Sequence, residues 1–223
     1  MLEHVLSIDS SKGARQTGCP TQKIRKDLSV DAYFSADVET DGPIPGPFSM
    51  LSFALVFAGT YDGSRFRRPP DYKQVFYAEL RPISERYDEE ALSVNRLDRD
   101  SLKTEGKDPA TAMREAANWV ERVSGGATPI LAAYPLSFDW SWLYWYFMRF
   151  LECDSPFNHS RCFDMKTAIS VVTEVPVSDS SRRNLPAALK SRYDHSHHAV
   201  SDAVEQADIL ARIFEYRETK RER

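Results

Sequence analysis

Asp37 and Glu39 close the run "AYFSADVETDG". Asp139 lies in "AAYPLSFDWSWL", and His197 and Asp202 open "HHAVSDAVEQADIL". Together these five residues could do chemistry that none could do alone. Four carboxylates are hard oxygen donors, suited to Mg²⁺ or Mn²⁺. Two such cations about 3.5–4 Å apart can clamp the attacking and leaving oxygens of a phosphodiester and lower the pKa of a bound water. A neutral histidine beside them can take that water's proton, a contribution of roughly 10²–10⁴ in rate. The chain has no Walker loop, GxGxxG, HExxH or GxSxG to support a rival chemistry.

Each residue also has a plainer reading. Residues two apart in a strand share a face, so Asp37 and Glu39 would stand side by side and raise one another's pKa unless a cation lay between them. If the strand ends at Ala36, both are wet loop residues. Asp139 at a helix start could serve as a cap. On one continuous helix, His197 and Asp202 would be roughly 140° apart. They meet only if His197 lies on the loop before the helix. His195, His197 and His198 crowd together, so a zinc site or a solvated turn is open there.

The elements that must position these residues are legible from pattern. Ala32–Glu39, Phe48–Gly59 and Lys73–Leu80 read as three strands, with Gly, Pro and Asp in their connections. Asp108-Pro109 reads as the cap and first residue of a helix that stops at Gly125-Gly126. "ATPILAAY" is a strand and Asp139–Leu151 a helix. "RCF" is a fifth strand, and "DMKTAISVV" and "NLPAALK" are short helices. Val200, Ala203, Val204, Ala207, Leu210, Ile213 and Phe214 recur at helical spacing through a last helix, Ala199–Arg217. A strand–helix–strand crossover makes the later strands parallel to the first. The expected class is α/β: a mixed five-stranded sheet, three antiparallel strands then parallel additions, with helices on both faces.

At 223 residues and 42% hydrophobic, the chain can bury a substantial core. Residues 1–28 are polar and non-periodic, which predicts a flexible or loosely docked extension before a single domain over 29–223. Three cysteines in no metal-finger spacing point to reduced thiols and a cytoplasmic protein. No apolar run suggests a leader or a membrane span. The net charge of −4 argues against a nucleic-acid partner until bound dications are counted. Arg65, Arg67, Arg68, Arg182, Arg183, Lys190 and Arg192 are the cations of interest. Those in "SRRNLPAALKSRY" could track phosphates, and "RFRR" reads as a hairpin tip.

Asp37-Val38-Glu39-Thr40, Phe138-Asp139 and His197-x4-Asp202 resemble the three motifs of the DEDDh exonucleases, over about Ala32 to Phe214. The resemblance implies a ribonuclease H-like fold. It also implies a 3′→5′ exonuclease that releases nucleoside 5′-monophosphates from the 3′ end of single-stranded RNA or DNA, by a two-metal-ion mechanism with Mg²⁺ or Mn²⁺. Asp37, Glu39, Asp139 and Asp202 would be the metal ligands. His197 would be the general base, since it alone of the histidines has the spacing to Asp202. Thr40 and Asp41 would lie beside the terminal nucleotide, and Phe48, Met50 or Leu51 could pack on its base or be strand core. Pro135 stands where the family often has Asn, and Asp41 where it commonly has Thr. A homodimer is left open. The alternative is an inactive nucleic-acid-binding or interaction module on the same fold.

Overall fold

The structure, a computed structural model, describes residues 30–151 and 154–221. The expectation for residues 1–28 lies outside them, as do Cys19 and Cys153, while Cys162 is a free thiol. The strands are β1 (Asp31–Thr40), β2 (Met50–Tyr61), β3 (Phe66–Arg67), β4 (Val75–Glu79), β5 (Thr128–Ala133) and β6 (Cys162–Asp164). The helices are α1 (Glu89–Asn95), α2 (Arg99–Glu105), α3 (Pro109–Ser124), α4 (Leu136–Phe150), α5 (Met165–Thr173) and α6 (Ala199–Arg221). No helix among the described residues is long and apolar enough to cross a membrane.

The sheet order is β3-β2-β1-β5-β6, with β4 also on β2. β1, β2 and β4 run antiparallel, and β5 and β6 add in parallel, as the pattern predicts. The sixth strand is the two-residue β3, which pairs with the far end of the β2 edge that β4 also uses. Such a short strand has no periodic signal of its own. The same applies to α1 and α2, seven residues each, started by the caps Asp88 and Asp98. Asp108 and Gly125 bound α3 as expected, the glycine at φ +57. The stretch "NLPAALK" forms no α-helix. It holds one 3-10 turn, Ala187–Leu189, directly after Pro186, and its first residue ends another, Arg182–Asn184. Proline has no N–H to continue a helical ladder.

Alternation along β1 sorts its side chains between two cores. Ala32, Phe34, Ala36 and Val38 face the cluster built with α3 and α4, through Trp119, Trp142 and Phe147. Tyr33 faces the opposite cluster, built on α6 through Ala203, Ala207, Leu210 and Phe214. Asp37 and Glu39 share Tyr33's parity, so β1 delivers both acids to the α6 side.

Candidate active site

β1 outruns its parallel neighbour, and the site lies at that overhang. Pairing with β5 covers Asp31 to Ser35 and stops, whereas pairing with β2 continues to Thr40. On the β5 side, the N–H of Val38 therefore has no strand carbonyl to bond. It donates to Oδ1 of Asp139 at 3.1 Å instead, because a buried N–H must find an acceptor. α4 begins at Leu136 rather than at Asp139, which places the acid inside the first turn. Asp139 is not the cap: Pro135 holds that position and makes no side-chain cap bond, while Asp164 accepts the first N–H of the helix, from Leu136. Its side chain is buried at 6% exposure.

Asp202 arrives from the other side of the sheet, in the first turn of α6. Its Oδ1 accepts from the N–H of Ser196 at 2.8 Å and its Oδ2 from that of His197 at 3.0 Å. The loop before the helix is thereby folded back over the carboxylate. His197 takes φ +56 to make this turn, a conformation that non-glycine residues seldom adopt outside special sites. Asp37, Glu39 and Asp202 each bring a carboxylate oxygen within 4.8 Å of the others. Asp139 stands beside them, linked through Val38. The four acids thus converge, two from β1 and one from a helix on each face of the sheet.

Burial pushes Asp37 well above the usual carboxylate range, and Asp139, Glu39 and Asp202 push it further. Burial raises Glu39 to about 8, with Asp202 and Asp139 adding to the rise. Asp139 is raised to about 7 by burial, against the backbone N–H groups it accepts from and Arg182. Clustered carboxylates held this close favour a bound cation over their own ionised, unpaired state. The donor set is all oxygen, which suits a hard divalent ion.

The three histidines take separate positions. His195 places Nδ1 3.0 Å from Oδ2 of Asp202 and 3.6 Å from Glu205. Burial lowers its pKa, while Asp202 pulls it up. The ring of His197 is exposed and meets the His195 ring edge-on at 4.7 Å. His198 turns away to stack on Tyr77 of β4, 5.5 Å between centroids. His195, His197 and Asp202 form a second group with donor atoms within 4.8 Å.

The residues expected beside the terminal nucleotide are turned inward. Asp41 has 0% exposure, receives the N–H of Ser49 at 2.5 Å and pairs with Nε of Arg99 at 2.8 Å. The Thr40 hydroxyl donates to the carbonyl of Gly42 at 2.8 Å. Phe48, Met50 and Leu51 are buried. Both faces of β2 are covered at its start, so these side chains complete the core. Phe138, next to Asp139, is instead 41% exposed.

Gln206 did not stand out in the sequence. Its Nε2 donates to Oδ1 of Asp37 at 2.9 Å, across 169 residues. The available signal was its position four residues after Asp202, on the same helical face. Arg182 is committed within the protein: Nε to Glu205 at 3.0 Å and a terminal nitrogen to the Tyr134 carbonyl at 3.3 Å.

Comparison with known proteins is decisive once this geometry is in view. The chain is 30% identical over 192 residues to the 3′-5′ DNA exonuclease Cap18 of Escherichia coli, covering 86% of this chain and 96% of the relative. The chain belongs to the DEDDh 3′→5′ exonuclease family. No family model matches it. Its fold resembles the nuclease domain of 3′hExo, a DEDDh family member solved bound to rAMP, with TM-score 0.58 and 13% identity over 86% of this chain and 94% of that one. Exonuclease I gives TM-score 0.59 at 14% identity, over 86% of this chain but 44% of that one. A 3′-exonuclease solved for its 3′-end specific recognition of a histone mRNA stem-loop gives TM-score 0.59 at 13% identity. That match covers 84% of this chain and 64% of the exonuclease. Membership makes the chain a 3′→5′ exonuclease and agrees with the mixed sheet described above.

Proposed function

We propose that this exonuclease removes nucleoside 5′-monophosphates from the 3′ end of single-stranded DNA, with Asp37, Glu39, Asp139 and Asp202 as its metal-holding residues. One observation carries the reading: three carboxylates converge within 4.8 Å on one face, with the fourth pinned beside them by Val38. The relative named a DNA exonuclease supports DNA as substrate. When bound, two Mg²⁺ or Mn²⁺ ions would supply charge for the phosphate oxygens and a lowered pKa for the attacking water, from about 15.7 towards 7.

His197, exposed at the mouth of the site, takes the proton of the attacking water. The water oxygen bonds to phosphorus as the bond to the 3′ oxygen breaks. The departing 3′ oxygen is protonated from solvent, and the nucleoside 5′-monophosphate leaves. Asp202 holds the backbone N–H of His197 and so fixes where its ring can reach.

Asp139→Asn lowers cleavage of labelled oligonucleotides by more than about 10²-fold, since several kcal/mol of charge stabilisation is lost. His197→Ala lowers it by roughly 10²–10⁴ and leaves the metal-dependent thermal shift in place. Wild-type rates for Asp139→Asn would overturn the proposal. Matched DNA and RNA strands test the choice of sugar, with DNA degraded faster.

A second reading has the His195–His197–Asp202 group in its favour, since two imidazoles and a carboxylate suit zinc. The same variants separate the two. Under the zinc reading His197→Ala loses metal binding and Asp139→Asn keeps it.

A further inference from the structure

A cavity of about 380 Å³ opens at the start of α4, the helix that carries Asp139 in its first turn. Tyr134 and Pro135, just ahead of α4, line it together with Lys166 of α5 and Arg183. Arg182 lines the cavity too, with its guanidinium 4.7 Å from the centre of the Tyr134 ring. Arg182 also pairs with Glu205 at 3.0 Å, and Glu205 lies 3.6 Å from Nδ1 of His195, itself 3.0 Å from Asp202, so a chain of contacts joins the cavity lining to the acids.

The cations here differ in their commitments. Arg182 is spent on Glu205 and the Tyr134 carbonyl. Lys166 and Arg183 make no ion pair among the described residues. Asp164 accepts the N–H of Leu136 at 2.7 Å and that of Thr167 at 2.6 Å, and makes no ion pair with either cation. Two cations without an ion-pair partner among the described residues thus line the cavity. An anion satisfies them, and a strand running to the carboxylates carries one per nucleotide.

We propose that this cavity is a phosphate-binding subsite, in which Lys166 and Arg183 hold a backbone phosphate of the strand on the 5′ side of the nucleotide being removed. The inference rests on the strand-cleaving reading above. It gives an acidic protein a local means of holding an anionic substrate without placing cations among the metal-holding acids.

Binding and turnover test it separately. Affinity of the full chain for a fluorescein-labelled 12-nucleotide single strand is followed in EDTA, where nothing is cleaved, from 25 to 200 mM NaCl. On single strands each phosphate contact contributes about 0.7 to the slope of log affinity against log salt. Lys166→Ala/Arg183→Ala flattens that slope by about 0.7, for the one phosphate the pair holds, and weakens binding about tenfold at low salt. Arg65→Ala/Arg67→Ala, at the hairpin tip, leaves the slope as it was. With Mn²⁺, the ratio of kcat/KM on the oligonucleotide to that on thymidine 5′-monophosphate p-nitrophenyl ester falls about tenfold in the Lys166/Arg183 variant, because the ester has no second phosphate. An unchanged slope and ratio overturn the subsite. If the wild-type chain cleaves neither substrate but the slope still falls, the subsite stands and the catalytic reading fails. If the variant weakens nucleoside monophosphate binding as much as strand binding, the cavity holds a free nucleotide, and the strand assignment is overturned.

Discussion

Gln206 stands one hydrogen bond from the proposed chemistry. Its amide holds Oδ1 of Asp37, and its own oxygen, at 1% residue exposure, has no partner among the described residues. An outer hydrogen bond of this kind orients a metal-holding carboxylate, and losing one typically costs 10–100-fold in metal affinity or activity. Gln206→Met keeps the volume and removes the donor. The metal concentration for half-maximal activity then rises about tenfold, more than kcat falls. A purely structural role would leave that concentration where it was. His197 carries its information in its backbone: φ +56 and an N–H on Asp202 place it on the loop and not on the helix. Its spacing to Asp202 was visible beforehand, but the turn that makes the spacing useful was not.

At the scale of elements, α1 and α2 secure the end of β1. Asn95 donates to the Thr40 carbonyl at 2.9 Å, and Arg99, at the start of α2, reaches the fully buried Asp41. The Arg99 guanidinium also donates to the Ser84 carbonyl and lies 5.1 Å from the Tyr87 ring centre. Asp41 had been expected near substrate, but the two helices cover it and turn its charge into a strut. Removing one partner of such a pair leaves an unpaired buried charge, at a cost of about 3–5 kcal/mol. Arg99→Met therefore destabilises the fold by that amount in urea unfolding. Adding Asp41→Asn recovers part of the loss, because it removes the orphaned charge. Equal or greater destabilisation in the double variant would refute the role. The site also depends on a mismatch of strand lengths. β5 ends before β1 does, and α4 fills the gap with Asp139.

The whole molecule carries the electrostatic cost of its acids. In the metal-free protein, Glu39 near 8 and Asp139 near 7 retain protons that the unfolded chain, with ordinary carboxylates near 4, has released. The folded state then binds more protons than the unfolded one, so stability falls as pH rises through that window. His195, lowered from 6.5, acts in the opposite sense below its ordinary value. The clear interval is therefore about pH 6.5 to 8.5. In EDTA, Tm falls by a few degrees across it, at about 2–4 °C per kcal/mol for a chain of this size. Mn²⁺ restores more at pH 8.5 than at 6.5, since cation binding then displaces fewer protons. Glu39→Gln flattens the metal-free profile. A metal-free Tm that rises across the interval would contradict the clustered acids.

The sequence by itself determined the acid set and its order, the parity that puts Asp37 and Glu39 on one face, the caps of α3 and the apolar stripe of α6. These are local properties, written in periods of two and 3.6 residues and in the backbone preferences of Pro, Gly and Asp. Only the tertiary structure decided that Asp139 bonds to Val38, that Gln206 holds Asp37, that His195 rests on Asp202, and that Asp41 is a buried strut. Those pairings join residues 101, 169, 7 and 58 positions apart. Periodicity specifies which face a side chain takes but not what the fold brings against it. The partner depends on where neighbouring strands stop and which helix crosses the gap.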